Sequence, residues 1–146
     1  MLYKARSSEN FGKMSTGVAY AEHWSGPYKK LGDAPSIGGC EDAGIYQGNP
    51  IMDGKHGIFR AILHCGCNYQ AVWSMDGINW NSTTPSIPFC NVTFADGITR
   101  QLSSRQRPKW LIDPSTGEPT HLITGVGPGN GIHNGETFTM IQAVLP

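Results

Sequence analysis

Two adjacent carboxylates, Glu41 and Asp42, are the residues of this sequence that are best suited to acid–base chemistry. A carboxyl group can donate a proton near neutral pH only if its surroundings raise its pKa, and a second carboxylate beside it does so. Because neighbouring residues on a strand point to opposite faces, we expect only one of the two to face a site. Taken alone, the pair is more typical of solvated loop residues that accept hydrogen bonds from backbone amides.

Two arginines and two histidines are further candidates for ligand binding. Arg105 and Arg107 flank Gln106, and a guanidinium can hold hydroxyl groups or orient a carboxylate through its fork of donors. His64 and His121 each lie near the end of a predicted strand, where an imidazole can hydrogen-bond a polar ligand near neutral pH. A surface ion pair for the arginines and a packed, backbone-bonded ring for the histidines are the alternatives.

The four cysteines do not form a convincing metal site. Cys65 and Cys67 follow His64 as Cys-x-Cys, whereas structural zinc sites usually show Cys-x₂₋₄-Cys with a second pair at a distance. A disulfide from Cys40 to Cys65 or to Cys90 fits a secreted protein, but four cysteines allow three pairings. We therefore predict no metal and no cofactor, and leave the disulfide pairing open.

Composition excludes several classes of function. Lys+Arg 11 balance Asp+Glu 11, so the net charge of zero offers no footprint for nucleic acid or an anionic membrane. No apolar run approaches the ~18 residues of a membrane span, and no apolar signal segment follows Met1. Asn81-Ser82-Thr83 and Asn91-Val92-Thr93 are glycosylation sequons, which are typical of secreted proteins. Secretion and an intracellular location both remain open.

Short strands joined by turns are the elements that must position these residues. The 19 glycines and 10 prolines of the 146 residues exceed the usual share of ~12%, and no segment has a convincing helical pattern. Asp76-Gly77 is a strong hairpin signal, and Trp80 is expected to pack over that hairpin. Alternating apolar residues and turn signals predict strands at residues 1–4, 16–21, 28–31, 44–46, 57–64, 69–74, 92–102, 107–112, 119–126 and 137–145. The strand at 92–102 is interrupted by Asp96-Gly97.

The predicted strands run through about four strands and then begin the same order again. The two cycles open at Glu41 and Gln106, which lie 65 residues apart. Propeller blades recur at roughly 40–50 residues, and extended loops lengthen that period. We predict an all-β partial propeller of about two to three four-stranded antiparallel blades: residues 1–39 end one blade, 40–103 form a full blade and 104–146 form the last blade. Closed propellers need ~4–8 blades, so we expect a fragment whose first strand is incomplete.

An ordered series of motifs resembles the five-bladed propeller glycoside hydrolases of the family 43, 62 and 32 type, and is most similar to family 43-like proteins. The resemblance covers most of the chain from Tyr3 onward. Its motifs are Thr16-Gly17-Val18-Ala19-Tyr20-Ala21, Ser25-Gly26-Pro27-Tyr28, Glu41-Asp42, Trp73-Ser74-Met75-Asp76-Gly77-Ile78-Asn79-Trp80, Arg105-Gln106-Arg107-Pro108 and Pro119-Thr120-His121-Leu122.

The resemblance implies a carbohydrate substrate and a site at the propeller axis, where the first strand of each blade begins. Such enzymes take a general base or nucleophile, a pKa-tuning aspartate and a general acid from three different blades. Glu41 matches the general acid, and Asp42, His64, Arg105, Arg107 and His121 are the candidate substrate-binding residues. The blade that would carry the partner aspartate is expected upstream of Met1.

Two departures from the family pattern bear on activity. Ala43 stands where the family often has proline, and Gln106 stands where it often has glutamate. The first loosens the backbone at the site and the second removes a charge. We therefore carry forward a glycoside hydrolase-like domain, with this chain alone expected to be inactive, and two alternatives: a non-catalytic carbohydrate-binding propeller and an inactive fragment.

Overall fold

The computed structural model of the chain describes residues 1–6, 14–33, 40–48, 57–82, 87–128 and 136–144. Within these ranges the fold is all-β, as predicted, and consists of several small antiparallel sheets. The described residues contain no helix, and so none that is long and apolar enough to cross a membrane. The sequence also predicts a turn-rich connection at 47–55, with Asn49-Pro50 and Asp53-Gly54 as breakers, and a glycine-rich loop at 127–135. Both segments lie largely outside the described residues.

The first sheet is a three-stranded meander in the order β1-β2-β3. Its strands are β1 (Leu2–Arg6), β2 (Met14–Tyr20) and β3 (Lys29–Asp33). The central strand β2 buries four consecutive residues, 16–19, because it has a neighbouring strand on each side and another sheet against its face. All three strands lie where alternation predicted strands.

The second sheet has five strands in the order β4-β5-β6-β7, with β8 also pairing β6. Its strands are β4 (Glu41–Gln47), β5 (Phe59–Cys65), β6 (Asn68–Ser74), β7 (Asn81–Ser82) and β8 (Ile87–Pro88). β4 begins three residues earlier than predicted, so Glu41 and Asp42 belong to the strand itself.

The turn after β6 is built around Asp76. Its carboxylate accepts hydrogen bonds from the backbone N–H groups of Ile78 at 2.8 Å and Asn79 at 2.7 Å, and Gly77 supplies a φ of 73°. The buried Trp80 donates its indole N–H to the Gly77 carbonyl at 3.1 Å, which confirms that it packs over its own hairpin. The hairpin that Asp76-Gly77 predicts is therefore confirmed.

The segment from Val92 to Leu102 was predicted to be the fourth strand of the second sheet, and that prediction is wrong. It forms a separate two-stranded hairpin of β9 (Asn91–Thr93) and β10 (Thr99–Gln101). Asp96 accepts a hydrogen bond from the Ile98 N–H at 2.9 Å and Gly97 has a φ of 77°, so the chain reverses in the middle of the segment. The fourth position is taken by the short β7.

The third sheet is another three-stranded meander, in the order β11-β12-β13. Its strands are β11 (Arg105–Ile112), β12 (Pro119–Val126) and β13 (Phe138–Ala143), all within two residues of the predicted positions. A turn at 113–117, in which Asp113 accepts a hydrogen bond from the Ser115 N–H at 2.7 Å, joins β11 to β12.

The first strand of the second sheet lies between the other two sheets. On one side, the buried Thr16 hydroxyl of β2 donates to the Cys40 carbonyl at 3.0 Å. On the other side, β4 packs closely on β11: the Trp110 indole N–H donates to the Gly44 carbonyl at 3.1 Å, and a Cβ on Gly44 would lie 2.8 Å from the Pro108 carbonyl oxygen. Only glycine permits this approach of the two backbones.

Two disulfides staple the second sheet. Cys40 bonds Cys65, which joins the start of β4 to the end of β5, and Cys67 bonds Cys90, which joins the β5–β6 turn to the residue before β9. The first of these is one of the two pairings anticipated for Cys40. Because all four cysteines are disulfide-bonded, the Cys-x-Cys sequence cannot supply thiolates to a metal.

Candidate functional site

Four side chains from three strands meet where the first and second sheets touch. We call Lys4, Glu41, Asp42 and His64 the carboxylate cluster. The Lys4 ammonium lies 2.7 Å from Glu41 Oε2 and 3.2 Å from Asp42 Oδ1. His64 Nδ1 lies 3.8 Å from Glu41 Oε1, whereas Lys4 pairs with the other oxygen of the same carboxylate. A cation from β1 thus holds together two carboxylates from β4.

A β-bulge places Glu41 and Asp42 on the same side of their strand. Glu41 pairs with His64 and Ala43 pairs with Leu63, so Asp42 is the extra residue, and its φ is 51°. Both carboxylates therefore contact Lys4, because a bulge breaks the alternation of a regular strand. Of the two, Asp42 lines the neighbouring cavity, so the expectation that only one of them faces a site stays a prediction. Aspartate is one of the few non-glycine residues that tolerate the left-handed conformation.

The same local geometry recurs at the start of β11. The register of β11 on β12 shifts between Gln106 and Lys109, and Arg107 has a φ of 54°. Arg107 follows Asp42 by 65 residues, which is the sequence period that relates Gln106 to Glu41. The two cycles therefore share a bulged opening as well as an order of strands.

Asp42 and Arg107 line one cavity of about 270 Å³ between β1, β4 and β11. Lys4 and Lys109 also line the cavity and add two cations, and Tyr3 adds a phenol. The cavity thus combines cationic, acidic and hydroxyl groups with an aromatic ring. A polar molecule that offers several hydroxyl groups matches these donors and acceptors.

The electrostatics of the cluster centre on Lys4. Its hydrogen bond to Glu41, followed by the bond to Asp42, raises the pKa of the Lys4 ammonium above its ordinary value. The lysine side chain is 38% exposed and Glu41 is 29% exposed, so solvent screens the pair. Lys4 is therefore charged at neutral pH and contacts both carboxylates as a cation.

His64 is the buried member of the cluster. Only 5% of the residue is exposed, and its Nδ1 has no hydrogen-bond partner. Nδ1 therefore makes no hydrogen bond to the backbone, which was the alternative to a ligand-binding role for this histidine. The 3.8 Å between His64 Nδ1 and Glu41 Oε1 is too long for a hydrogen bond, and the two groups would have to approach by about 0.6–1 Å to form one.

The oxygen and nitrogen donors of Glu41, Asp42 and His64 all lie within 4.8 Å of one another, which is close enough for one divalent cation to reach them. However, the Lys4 ammonium already contacts both carboxylates. The cluster thus carries its own counter-cation, and a metal ion would have to displace it.

Arg105 lies apart from the cluster, inside the third sheet. Only 4% of the residue is exposed, and its guanidinium donates to Thr124 Oγ1 at 3.1 Å, to the Phe89 carbonyl at 3.3 Å and to Gln142 Oε1 at 2.7 Å. It also lies 4.0 Å from the centre of the Phe89 ring. Burial lowers the pKa of Arg105 to about 10. These contacts tie β11, β12 and β13 to the segment before β9.

His121 is also remote from the carboxylate cluster. It pairs with Leu111, near the end of β11 that lies farthest from Arg107, and its Nδ1 is 3.0 Å from Thr120 Oγ1. The structure therefore brings together Glu41, Asp42, His64 and, across the cavity, Arg107, but neither Arg105 nor His121. It adds Lys4, whose only sequence signal was its position in the first predicted strand.

Residues of the second sheet and Trp110 of β11 line an aromatic groove of about 460 Å³. Tyr46, Trp73 and Trp110 line it, and the rings of Tyr46 and Trp110 meet edge-on at 5.5 Å. Of the four tryptophans, Trp80 is buried and Trp24 is 82% exposed. No member of the carboxylate cluster lines this groove.

Comparison with known proteins gives no relative for this chain. No model of a protein family matches it. No curated protein and no solved structure matches it either.

Proposed function

We propose that this chain is part of a propeller glycoside hydrolase, in which the cavity lined by Asp42 and Arg107 binds sugar and Glu41 is the general acid. The observation that supports this most directly is the convergence of three first strands: β1, β4 and β11 each open a successive meander sheet, and each lends polar side chains to one cavity. In the propeller that the motifs resemble, the axis site is built in the same way.

Proton donation by Glu41 requires the carboxyl to be neutral, so Lys4 must leave it first. Asp42, which Lys4 already contacts at 3.2 Å, can keep the ammonium when Glu41 is protonated. His64 Nδ1, which is 3.8 Å from Glu41 Oε1, can orient the carboxyl once the two groups move into hydrogen-bond distance. In this scheme Lys4 and His64 are positioning residues, and Glu41 gives its proton to the leaving oxygen.

The second carboxyl group of the reaction comes from outside the described residues. Asp42 is adjacent to Glu41 and cannot flank the opposite face of a scissile bond. The exposed carboxylates Asp76, Asp96 and Asp113 are engaged in turns of their own. We therefore propose that the base or nucleophile is an aspartate of another blade, at a separation of ~5–5.5 Å for retention or ~6.5–9.5 Å for inversion.

The test is hydrolysis of arabinoside, xyloside and fructoside substrates by the full product of the gene. Glu41→Gln should lower the rate by about 10²–10⁴-fold, the usual contribution of a general acid. Glu22→Gln, which changes an exposed carboxylate outside the cluster, is the matched control and should leave the rate unchanged. Equal rates for wild type and Glu41→Gln would refute the role of Glu41.

A second candidate is carbohydrate binding without hydrolysis. The contact of Lys4 with both carboxylates favours it, because a carboxylate held in an ion pair is an acceptor for sugar hydroxyls rather than a proton donor. Binding to a glycan array with no release of reducing sugar would support this candidate. Any enzyme-dependent release that Glu41→Gln abolishes would exclude it.

A further inference from the structure

The two disulfides indicate the compartment in which this chain folds. Cys40–Cys65 and Cys67–Cys90 together use all four cysteines. Disulfides form and persist in oxidising compartments such as the lumen of the secretory pathway and the extracellular space. The secretory lumen is also where asparagine side chains in the sequence Asn-x-Ser/Thr receive glycans.

The sequon at Asn91 is displayed on the outer face of its strand. Val92 is 6% exposed and packs in a core cluster with Cys90 and Leu102. Because side chains alternate along a strand, this burial directs Asn91 and Thr93 outward together, and both are exposed. The Thr93 hydroxyl lies 2.8 Å from the hydroxyl of Thr99 across the hairpin.

Asn81 and Ser82 of the other sequon are exposed as well. Asn81 follows the buried Trp80 and pairs with Trp73 through its backbone, so its side-chain amide is not part of the ladder. The residue is exposed in β7, which pairs only with β6 among the described strands. Neither asparagine belongs to the carboxylate cluster or lines its cavity.

From these placements we propose that Asn81 and Asn91 carry N-linked glycans. The donor is a lipid-linked oligosaccharide diphosphate. The side-chain amide nitrogen forms a bond to C1 of the first sugar, the bond from C1 to the diphosphate oxygen breaks, the lipid diphosphate leaves and the amide releases one proton. No oxidant or reductant is needed, and the product is a secondary amide on the surface of the sheet.

The experiment is site-resolved mass spectrometry on the product of the gene expressed in a secreting eukaryotic host, with medium and cell fractions both collected. Peptide N-glycosidase converts each glycosylated asparagine into aspartate, so both sites are read directly. Asn81→Gln and Asn91→Gln should each remove one step of apparent mass, and the double variant should remove both. Asn68→Gln is the matched control: Asn68 is exposed but is followed by Tyr69-Gln70, so both glycans should remain.

A second pair of variants separates modification from folding. Thr93→Ser keeps the hydroxyl and should keep the glycan at Asn91, whereas Thr93→Ala should lose it while Asn81 stays modified. Unmodified asparagines in protein whose disulfides have formed would overturn the proposal. Free thiols at the four cysteines would overturn it as well, because they would remove its premise of an oxidising compartment.

Discussion

Replacing Gly44 by alanine tests the packing that brings the first strands together. The new Cβ would lie 2.8 Å from the Pro108 carbonyl oxygen and 3.1 Å from its carbon, both backbone atoms that no rotamer change can move. Overpacking of this kind costs about 1–3 kcal/mol. The backbone shift that relieves it also weakens the hydrogen bond from the Trp110 indole to the Gly44 carbonyl, which is worth about 1 kcal/mol. We expect Gly44→Ala to lower the free energy of unfolding by about 2–4 kcal/mol.

Urea unfolding followed by circular dichroism measures this loss, and thermal melting gives a second reading. At about 3 °C per kcal/mol for a chain of this size, Tm should fall by roughly 6–12 °C. Gly125→Ala is the matched control: Gly125 lies in β12, and the nearest atom to its added Cβ is the Gln106 carbonyl oxygen at 3.9 Å. Its free energy of unfolding should change by no more than about 0.5 kcal/mol. A Gly44→Ala variant as stable as the control would refute the close approach of β4 to β11.

Three further predictions follow from the cluster and the turns. The pKa of Lys4 is raised in the folded protein, so the stability that its ammonium contributes is fully present below pH 10.5 and is lost as the pH rises further. The difference in urea midpoint between wild type and Lys4→Met should therefore vanish in that alkaline range. Hydrogen bonds from the Asn79 and Ile78 N–H groups hold the pKa of Asp76 well below its usual range. Its contribution is therefore present above pH 3.8 and is lost at lower pH, and Asp76→Asn should show less acid destabilisation than wild type in a pH titration of the melting temperature. Replacing Cys67 and Cys90 by serine opens a loop with a separation of 23 residues and should cost about 2–5 kcal/mol in urea unfolding, whereas an unchanged urea midpoint would mean that this disulfide does not form.

Local patterns predicted most of the strands. Apolar residues bounded by turn signals located β2, β5, β6 and β12, although only β6 and β12 alternate in burial and β2 and β5 each bury four consecutive residues. Asp76-Gly77 marked a turn because only certain residues accept its backbone angles. The segment 92–102 was wrongly predicted as one strand, since the breaker at Asp96-Gly97 was treated as an interruption rather than as a reversal.

The candidate site depended on features that no local pattern carries. The bulge at Asp42 adds one residue to β4 without a glycine to signal it, and it reverses the side on which one carboxylate lies. Lys4 reaches Glu41 across 37 positions of sequence, and such a contact follows from how two sheets pack rather than from periodicity. Arg105 and Arg107 looked alike in sequence, yet one is buried in a hydrogen-bond network and the other lines the cavity.

Asp42 and Arg107, which lie 65 residues apart in the sequence, also have matching backbone geometry in the structure. Both residues adopt a left-handed conformation inside a register shift at the start of the first strand of a sheet. The opposite charges at the two equivalent positions face one cavity. The two first strands therefore have similar backbone geometry at positions 42 and 107 but present side chains of different chemistry to the cavity.

The most direct test of the proposed function compares two leaving groups in the wild-type full product of the gene and in its Glu41→Gln variant. An alkyl glycoside needs its leaving oxygen protonated, whereas a dinitrophenyl glycoside loses an anion that is stable without a proton. If Glu41 is the general acid, the variant should lose about 10²–10⁴-fold on the alkyl substrate and far less on the dinitrophenyl substrate. An equal loss on both substrates, or no loss on either, would contradict proton donation by Glu41.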